Sequence, residues 1–107
     1  MITLSISDTG LSAKSIESIQ SVFARYPEIE KAILYGSRAK GNFRKGSDID
    51  LTLEGRLLTL TMLNQIHTEL DELLLPYQID ISIRHKIKNA DLLNHIDRVG
   101  KLFYEKE

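Results

Sequence analysis

Three aspartates and a glycine–serine pair are the residues of this chain whose types and spacing could do chemistry. Gly36-Ser37 stands ten residues before Asp48-Ile49-Asp50, and Asp80 lies inside a later Ile-Asp-Ile run. Carboxylate oxygens are the ligands that hard divalent cations prefer, and a small turn rich in backbone N–H groups suits phosphate oxygens. The pattern predicts a site that holds a polyphosphate beside metal ions.

Basic side chains fill the segment between the Gly-Ser pair and the acidic pair. They are Arg38, Lys40, Arg44 and Lys45. Their charge could offset that of a triphosphate, although the spacing leaves open which of them points inward. We expect the phosphates to be bound by Gly36, Ser37, Arg38, Arg44 and Lys45.

A cluster of three carboxylates predicts a metal site. Like charges packed together raise one another's pKa values unless a cation neutralises them. Mg²⁺ is the expected ion, and two ions suit transfer of a phosphoryl or nucleotidyl group. We expect Asp48, Asp50 and Asp80 to be catalytic and metal-binding, with Asp80 a candidate acceptor of the hydroxyl proton. The alternative is that an Asp-x-Asp pair only marks the solvent face of a half-exposed sheet.

The elements that must position these residues can be predicted from hydrophobic periodicity. Alternation over 48–54 puts Asp48 and Asp50 on one side of a strand and the apolar residues on the other. The same alternation puts Asp80 on the polar side of a strand over 77–84. Residues 1–10 suggest a short edge strand or a loosely held arm. The other predicted elements are a helix over 12–26, a strand over 30–35, a helical turn from Ser37, a helix over 59–75, a helix between Asn89 and Gly100, and an edge strand over 101–104.

This order of elements predicts an α/β (α+β) fold, a small mixed β-sheet with helices packed on one face. The 107 residues suit a single domain, 1–107, without room for a separate substrate domain. The formal net charge of −1 gives no basic field, so direct nucleic-acid binding is not expected. The chain has no cysteine, signal-peptide pattern or membrane-span pattern, and we expect a cytoplasmic protein that does not bind membranes.

The conjunction of motifs resembles the nucleotidyltransferase superfamily of the DNA polymerase beta type. Its signature is Gly-Ser, ten residues, Asp-x-Asp and a third acid on a later strand, which match Gly36-Ser37, 38–47, Asp48-Ile49-Asp50 and Asp80. The sequence Gly-Ser-Arg-Ala-Lys-Gly, followed by Ser-Asp-Ile-Asp-Leu, is most similar to that of the minimal nucleotidyltransferase (MNT) domains. The resemblance covers nearly the whole chain.

The resemblance implies a Mg²⁺-dependent enzyme that transfers a nucleoside monophosphate to a hydroxyl group of a partner protein. The expected nucleotide is AMP, taken from ATP. In that branch the partner is a HEPN-type ribonuclease toxin, and the MNT protein is its antitoxin in a hetero-oligomer. Two alternatives stay open: a non-catalytic nucleotide-binding antitoxin that acts by complex formation, and nucleotidyl transfer to a small molecule. The base, the acceptor, the oligomeric state and activity without a partner are not determined by the sequence.

The remaining polar and aromatic residues are expected to be structural. The three histidines, His67, His85 and His95, share no metal-ligand spacing and suit surface or interface positions. Tyr35 and Phe23 are expected to fill the core. Tyr77, Phe103 and Tyr104 suit core or edge packing as well as a partner surface, and Glu69, Asp71 and Glu72 suit the solvated face of a helix.

Overall fold

A four-stranded mixed sheet with helices packed against it forms the structure, a computed structural model that describes the backbone of residues 6–107 and the side chains of residues 8–107. The helices are α1 (Ile6–Thr9), α2 (Ala13–Ala24), α3 (Ser37–Lys40), α4 (Leu60–Asp71) and α5 (Ala90–Val99). The strands are β1 (Lys31–Tyr35), β2 (Ile49–Glu54), β3 (Ile79–Ile83) and β4 (Lys101–Glu105), with a 3₁₀ turn over Arg84–Lys86. The strand order is β3-β2-β1-β4, in which only β2 and β3 run parallel. The predicted fold class is confirmed.

Side-chain caps begin the three long helices where the sequence predicted them. Ser12, Thr59 and Asn89 each accept a hydrogen bond from the backbone N–H three residues further on. Such a cap stabilises a helix by about 1 kcal/mol because it satisfies an N–H group without an intrahelical partner. Within residues 6–107, none of the helices has the length and apolar character needed to cross a membrane.

Two predicted boundaries differ from the structure. Helix α4 ends at Asp71 and not at 75, because Leu74 adopts a left-handed φ of 55° that an α-helix cannot contain. At the N-terminus, residues 6–9 form a helical turn and not the predicted strand or arm, while residues 1–5 lie outside the described part of the chain. The carbonyl of Thr9, the last residue of α1, accepts a hydrogen bond from the Arg38 side chain, a contact that sequence periodicity cannot reveal.

The apolar face of the sheet carries the core. Ile49, Leu51 and Leu53 alternate along β2 and are fully buried, as the sequence predicted. Helices α2 and α4 cover this face with the buried side chains Ile16, Ile19, Val22, Phe23, Ile66 and Leu70. Burying each large apolar side chain contributes roughly 1.5–3 kcal/mol. Because side chains alternate between the two faces of a strand, burying the apolar side chains also fixes which residues point to the opposite, polar face.

Helix α5 packs against that opposite face, which we call the acidic face because Asp50 and Asp80 lie on it. Tyr35 and Asp50 are cross-strand partners and so share a face, and the His95 ring of α5 meets the Tyr35 ring edge-on at 6.1 Å between centroids. Gly100, directly after α5, lies so close to β1 that an added Cβ would stand 2.8 Å from Cγ2 of Ile33. Helices α2 and α4 therefore share one face as expected, whereas the last helix covers β1 on the other.

Candidate active site

The acidic face brings together the ends of three adjacent strands. Asp50 is the cross-strand partner of Tyr35 on one side and of Asp80 on the other. Cross-strand partners project to the same face of a sheet, so the two carboxylates are neighbours. Asp48 lies two positions before Asp50 and is exposed, as is Asp80. The parallel pairing of β2 with β3 is what joins the third acid to the first two.

The Asp50 carboxyl group has a perturbed pKa. Its partial burial raises the pKa above the ordinary value, and the negative charges of Asp80 and Asp48 and a hydrogen bond with Asp80 raise it further. A positive charge on the neighbouring His95 would lower the pKa of Asp50. Burial and like charges both disfavour the ionised carboxylate, so this site favours either a proton or a cation.

The oxygen ligands of the acidic face suit a hard divalent cation, but its side chains alone do not supply a complete coordination shell. Asp50 and Asp80 are cross-strand partners and offer only oxygen ligands, which Mg²⁺ prefers. Among the described residues, however, no three His, Cys, Asp or Glu side chains are grouped closely enough to hold a metal ion. Mg²⁺ commonly uses one or two carboxylates together with water and substrate phosphates. The Asp50–Asp80 pair satisfies that requirement.

Gly36 joins β1 to α3 in a conformation that requires glycine. Its φ of 75° and ψ of −159° lie in a region that residues with a Cβ atom avoid. An added Cβ would stand 2.3 Å from Oδ2 of Asp50. The Gly36 carbonyl accepts hydrogen bonds from the N–H groups of Ala39 and Lys40 and so begins α3, whose first residue is Ser37. The absence of a side chain therefore lets the Asp50 carboxylate lie against the Gly-Ser turn.

Arg38 occupies the protein interior and not the surface of the site. Its side chain is 2% exposed; Nε donates to the Ser47 carbonyl at 3.0 Å, and Nη1 donates to the Thr9 carbonyl at 2.8 Å. The guanidinium also stacks on the rings of Phe43 and Tyr77, at 5.2 and 4.8 Å from their centroids. These contacts join α1, α3 and the loop after α3. They give Arg38 a structural role where the sequence suggested phosphate binding.

The other basic residues lie at the surface, at the end of α3 and in the loop between α3 and β2. Lys40, Arg44 and Lys45 are exposed, and Ser37 is half-buried at the start of α3. The N–H of Arg44 donates to the Ser47 hydroxyl at 2.8 Å, which closes a turn in this loop. Arg44 and Lys45 keep their charged groups in solvent, on the loop that leads from α3 to Asp48.

Tyr35 lies on the acidic face, although the sequence suggested a core position. The ring is half-buried; burial raises the pKa of its hydroxyl, a hydrogen bond with Ser82 lowers it, and the charges of Asp50 and Asp80 raise it. Ser82 also donates to the Thr52 hydroxyl at 3.0 Å. Strand alternation could have predicted this position, because Ala32 and Leu34 point into the core and Tyr35 must point away.

His95 is the residue of this region that sequence reasoning missed. Its Nε2 accepts a hydrogen bond from the Gly36 N–H at 3.1 Å, and its ring contacts Tyr35. The two hydrogen-bonded residues are 59 positions apart in the chain. No local pattern signals such a contact, because it depends on the face that α5 covers.

Solved structures with the same fold include toxin–antitoxin complexes. One, a toxin–antitoxin with AMP-PNP, has a TM-score of 0.69 and 18% identity over 86% of this chain and 74% of that chain. A second, a tri-AMPylated Shewanella oneidensis HEPN toxin in complex with MNT antitoxin, has a TM-score of 0.64 and 16% identity over 87% and 71% of the two chains. A third, a putative nucleotidyltransferase from Sulfolobus solfataricus, has a TM-score of 0.59 and 19% identity over 94% and 86%. At these identities the likeness shows the fold.

Family membership follows from the sequence match. A search of curated proteins gave no match. The family model described as "Polymerase beta, Nucleotidyltransferase" matches residues 17–107, which include the Gly-Ser turn, all three aspartates and His95. The chain therefore belongs to the polymerase beta nucleotidyltransferase family.

Proposed function

We propose that this protein is a Mg²⁺-dependent nucleotidyltransferase that transfers AMP from ATP to a hydroxyl group of a partner protein, as the antitoxin of a HEPN-type ribonuclease toxin in the cytoplasm. The observation that carries the proposal is the pairing of Asp50 with Asp80, directly against the Gly36-Ser37 turn. Family membership supports the reaction type. The AMPylated HEPN toxin in one structure of the same fold supports the acceptor.

The acidic residues divide the chemical work by position. Asp50 and Asp80 would hold Mg²⁺, and Asp48, two positions before Asp50, is proposed as a further oxygen donor. Mg²⁺ bound there would supply activation of the acceptor hydroxyl and stabilisation of the pyrophosphate leaving group. The acceptor oxygen attacks the α-phosphorus of ATP, the bond to the β-phosphate oxygen breaks, and pyrophosphate leaves. The exposed Asp80 carboxylate takes up the acceptor's proton.

The neighbouring loop supplies the groups that bind the triphosphate. Ser37 stands at the turn beside Asp50, and Arg44 and Lys45 carry positive charge on the following loop. Charged hydrogen bonds to phosphate are roughly twice as strong as neutral ones. We assign these three residues to triphosphate binding. Because Gly36 has no side chain, the phosphates can lie close to its backbone and to the Asp50 carboxylate.

Access for the acceptor is asymmetric. Helix α5 lies over β1 on the acidic face, whereas Asp80 of β3 is exposed. The acceptor hydroxyl therefore approaches over β2 and β3. This route suits a hydroxyl on another macromolecule, because Asp80 is exposed on that side.

The test is incubation of the protein with radiolabelled ATP, Mg²⁺ and the candidate HEPN partner. Asp50→Asn should abolish label transfer to the partner, because an amide neither carries the charge nor binds Mg²⁺ as a carboxylate does. Asp91→Asn makes the same chemical change at an exposed position at the start of α5 and should transfer normally. Undiminished transfer by Asp50→Asn would exclude the proposed metal site.

A non-catalytic antitoxin is the second candidate, because three metal-ligating side chains are not grouped on the described part of the acidic face. Such a protein would neutralise its toxin by binding alone. The double variant Asp48→Asn/Asp50→Asn separates the two functions in cells that express the toxin. Full protection by the double variant favours binding, whereas loss of protection with complex formation intact favours transfer. Label on a small molecule in the absence of a partner protein would indicate a third acceptor class.

A further inference from the structure

The hydrogen bond between Gly36 and His95 connects the Gly-Ser turn to the last helix. The Gly36 N–H donates to His95 Nε2 at 3.1 Å, and the imidazole edge rests against Tyr35 with an interplanar angle of 81°. Tyr35, Gly36 and Ser37 are consecutive, so one side chain contacts two of the three residues that lead from β1 into α3. His95 therefore contacts the chain at the point where β1 ends and the Gly-Ser turn begins.

The chemistry of this bond assigns a role to one imidazole nitrogen. A nitrogen that accepts a hydrogen bond carries no proton, so the contact with Gly36 uses an unprotonated Nε2. The Gly36 N–H is correspondingly occupied, which removes it from the groups that can bind phosphate. Gly36 then contributes its backbone shape, and Ser37 contributes the contact with the substrate.

The position of α5 does not depend on His95. Ile96 is 2% exposed and supplies the buried centre of the helix. Asp97 pairs with Arg84 at 2.5 Å, and the close approach of Gly100 to Ile33 holds the end of the helix on β1. A substitution at His95 should therefore alter the turn while α5 stays in place.

We propose that His95 is a positioning residue for nucleotidyl transfer, because its Nε2 holds the Gly36 amide and thereby sets the separation between the Asp50 carboxylate and Ser37. Gly36 is the residue between them: its missing Cβ gives Asp50 its place, and its carbonyl begins α3. The effect on transfer rests on the proposed function. The effect on the Gly36 amide does not.

Three variants separate the acceptor atom from the ring. In His95→Gln, the side-chain oxygen reaches about as far as Nε2 and can accept the same bond. In His95→Asn, the oxygen falls at the place of Nδ1 and cannot reach Gly36. In His95→Phe, the ring against Tyr35 is kept but the acceptor is lost. His67→Gln, at an exposed histidine of α4 that pairs with Asp71, controls for the substitution itself.

Two measurements decide the outcome. NMR hydrogen exchange of the Gly36 amide, in the full chain without nucleotide, should be about tenfold faster in His95→Asn and His95→Phe than in wild type, but nearly unchanged in His95→Gln. Steady-state transfer to the partner should show a kcat about tenfold lower in the same two variants with little change in KM for ATP. The His67→Gln control should match wild type in both measurements.

Each pattern of results bears on a distinct claim. Protection of Gly36 and normal kcat in His95→Asn or His95→Phe would overturn the proposal, as would a His95→Gln variant that behaves like His95→Asn. If wild type transfers no nucleotide while Gly36 exchange follows the expected order, the contact is real but the proposed function and the positioning role both fall. If His95→Phe does not fold, His95→Asn still decides the question.

Discussion

The two faces of the central sheet are made by the same strands but differ in what they do. On the apolar face, Ile49, Leu51 and Leu53 are completely buried under α2 and α4. On the acidic face, Asp50 is half-buried and Asp80 is exposed, and α5 packs against β1. Leu51 and Asp50 are neighbours along β2. Leu51 stabilises the fold by its burial, whereas the raised pKa of Asp50 indicates that a negative charge is disfavoured at its position.

One sheet therefore carries both a stable apolar core and a carboxyl group, that of Asp50, whose charge is disfavoured. The apolar face supplies the free energy that holds β2 and β3 in parallel register. That register forces two carboxylates together, an arrangement that is unfavourable without a cation. Perturbed carboxyl groups in a partly open site are typical of functional positions. The following predictions test this division, from the largest expected effect to the smallest.

The largest effect on stability should come from the apolar face. Leu51→Ala should lower the free energy of unfolding by about 2–5 kcal/mol, because it leaves a cavity under α2 and α4. Asp50→Asn, one residue away, should not lower it at neutral pH, because it removes a disfavoured charge. Urea unfolding of both variants without divalent cations measures the difference. Comparable destabilisation by the two substitutions would show that the faces do not divide the work.

Substitution of the glycine at the turn should affect both stability and activity. Gly36→Ala should cost about 2–3 kcal/mol and abolish transfer, since the backbone is strained and the new Cβ collides with Asp50. Gly41→Ala is the matched control: its φ is also positive, at 90°, but nothing lies within 4 Å of an added Cβ. It should cost about 1 kcal/mol and keep activity. Thermal unfolding and the transfer assay compare the pair.

Arg38 should behave as part of the fold although it lies in the signature segment. Arg38→Lys keeps the charge but loses the fork that reaches two carbonyls and stacks on two rings, and should cost about 1–3 kcal/mol. Arg44→Lys, at an exposed position, should change stability by less than about 0.5 kcal/mol. Unfolding free energies of both variants test the assignment, and equal small changes would place Arg38 among the surface cations.

The smallest effect should be a pH dependence that originates at Asp50. Its pKa is raised in the folded protein, so the folded state holds a proton that the unfolded state has already released. Stability should therefore fall as pH rises from about 4, the ordinary aspartate value, through the folded pKa of Asp50. Asp50→Asn should flatten this part of the curve relative to wild type when Tm is measured across pH without divalent cations. An unchanged curve would assign the dependence to other groups.

Local patterns were sufficient for most of the elements and for the faces on which the aspartates lie. Period-two alternation placed Asp50 and Asp80 on the polar sides of their strands, and hydrophobic periodicity placed the starts of the three long helices within one residue. The same kind of reasoning was insufficient for Arg38, because charge in a loop does not reveal the two carbonyls and two rings that surround the guanidinium in the interior.

What the sequence by itself determined is which chemical groups are present and in what order: a Gly-Ser turn, three acids at signature spacing and an α/β order of elements, all of which can be recognised from neighbours along the chain. Only the tertiary structure decided which of these residues are in contact. The parallel register of β2 and β3 places Asp80 beside Asp50. The packing of α5 on the acidic face brings His95 to the Gly36 amide, 59 residues away in the chain. Such contacts follow from how apolar surfaces pack together across the whole domain, and no local periodicity contains that information.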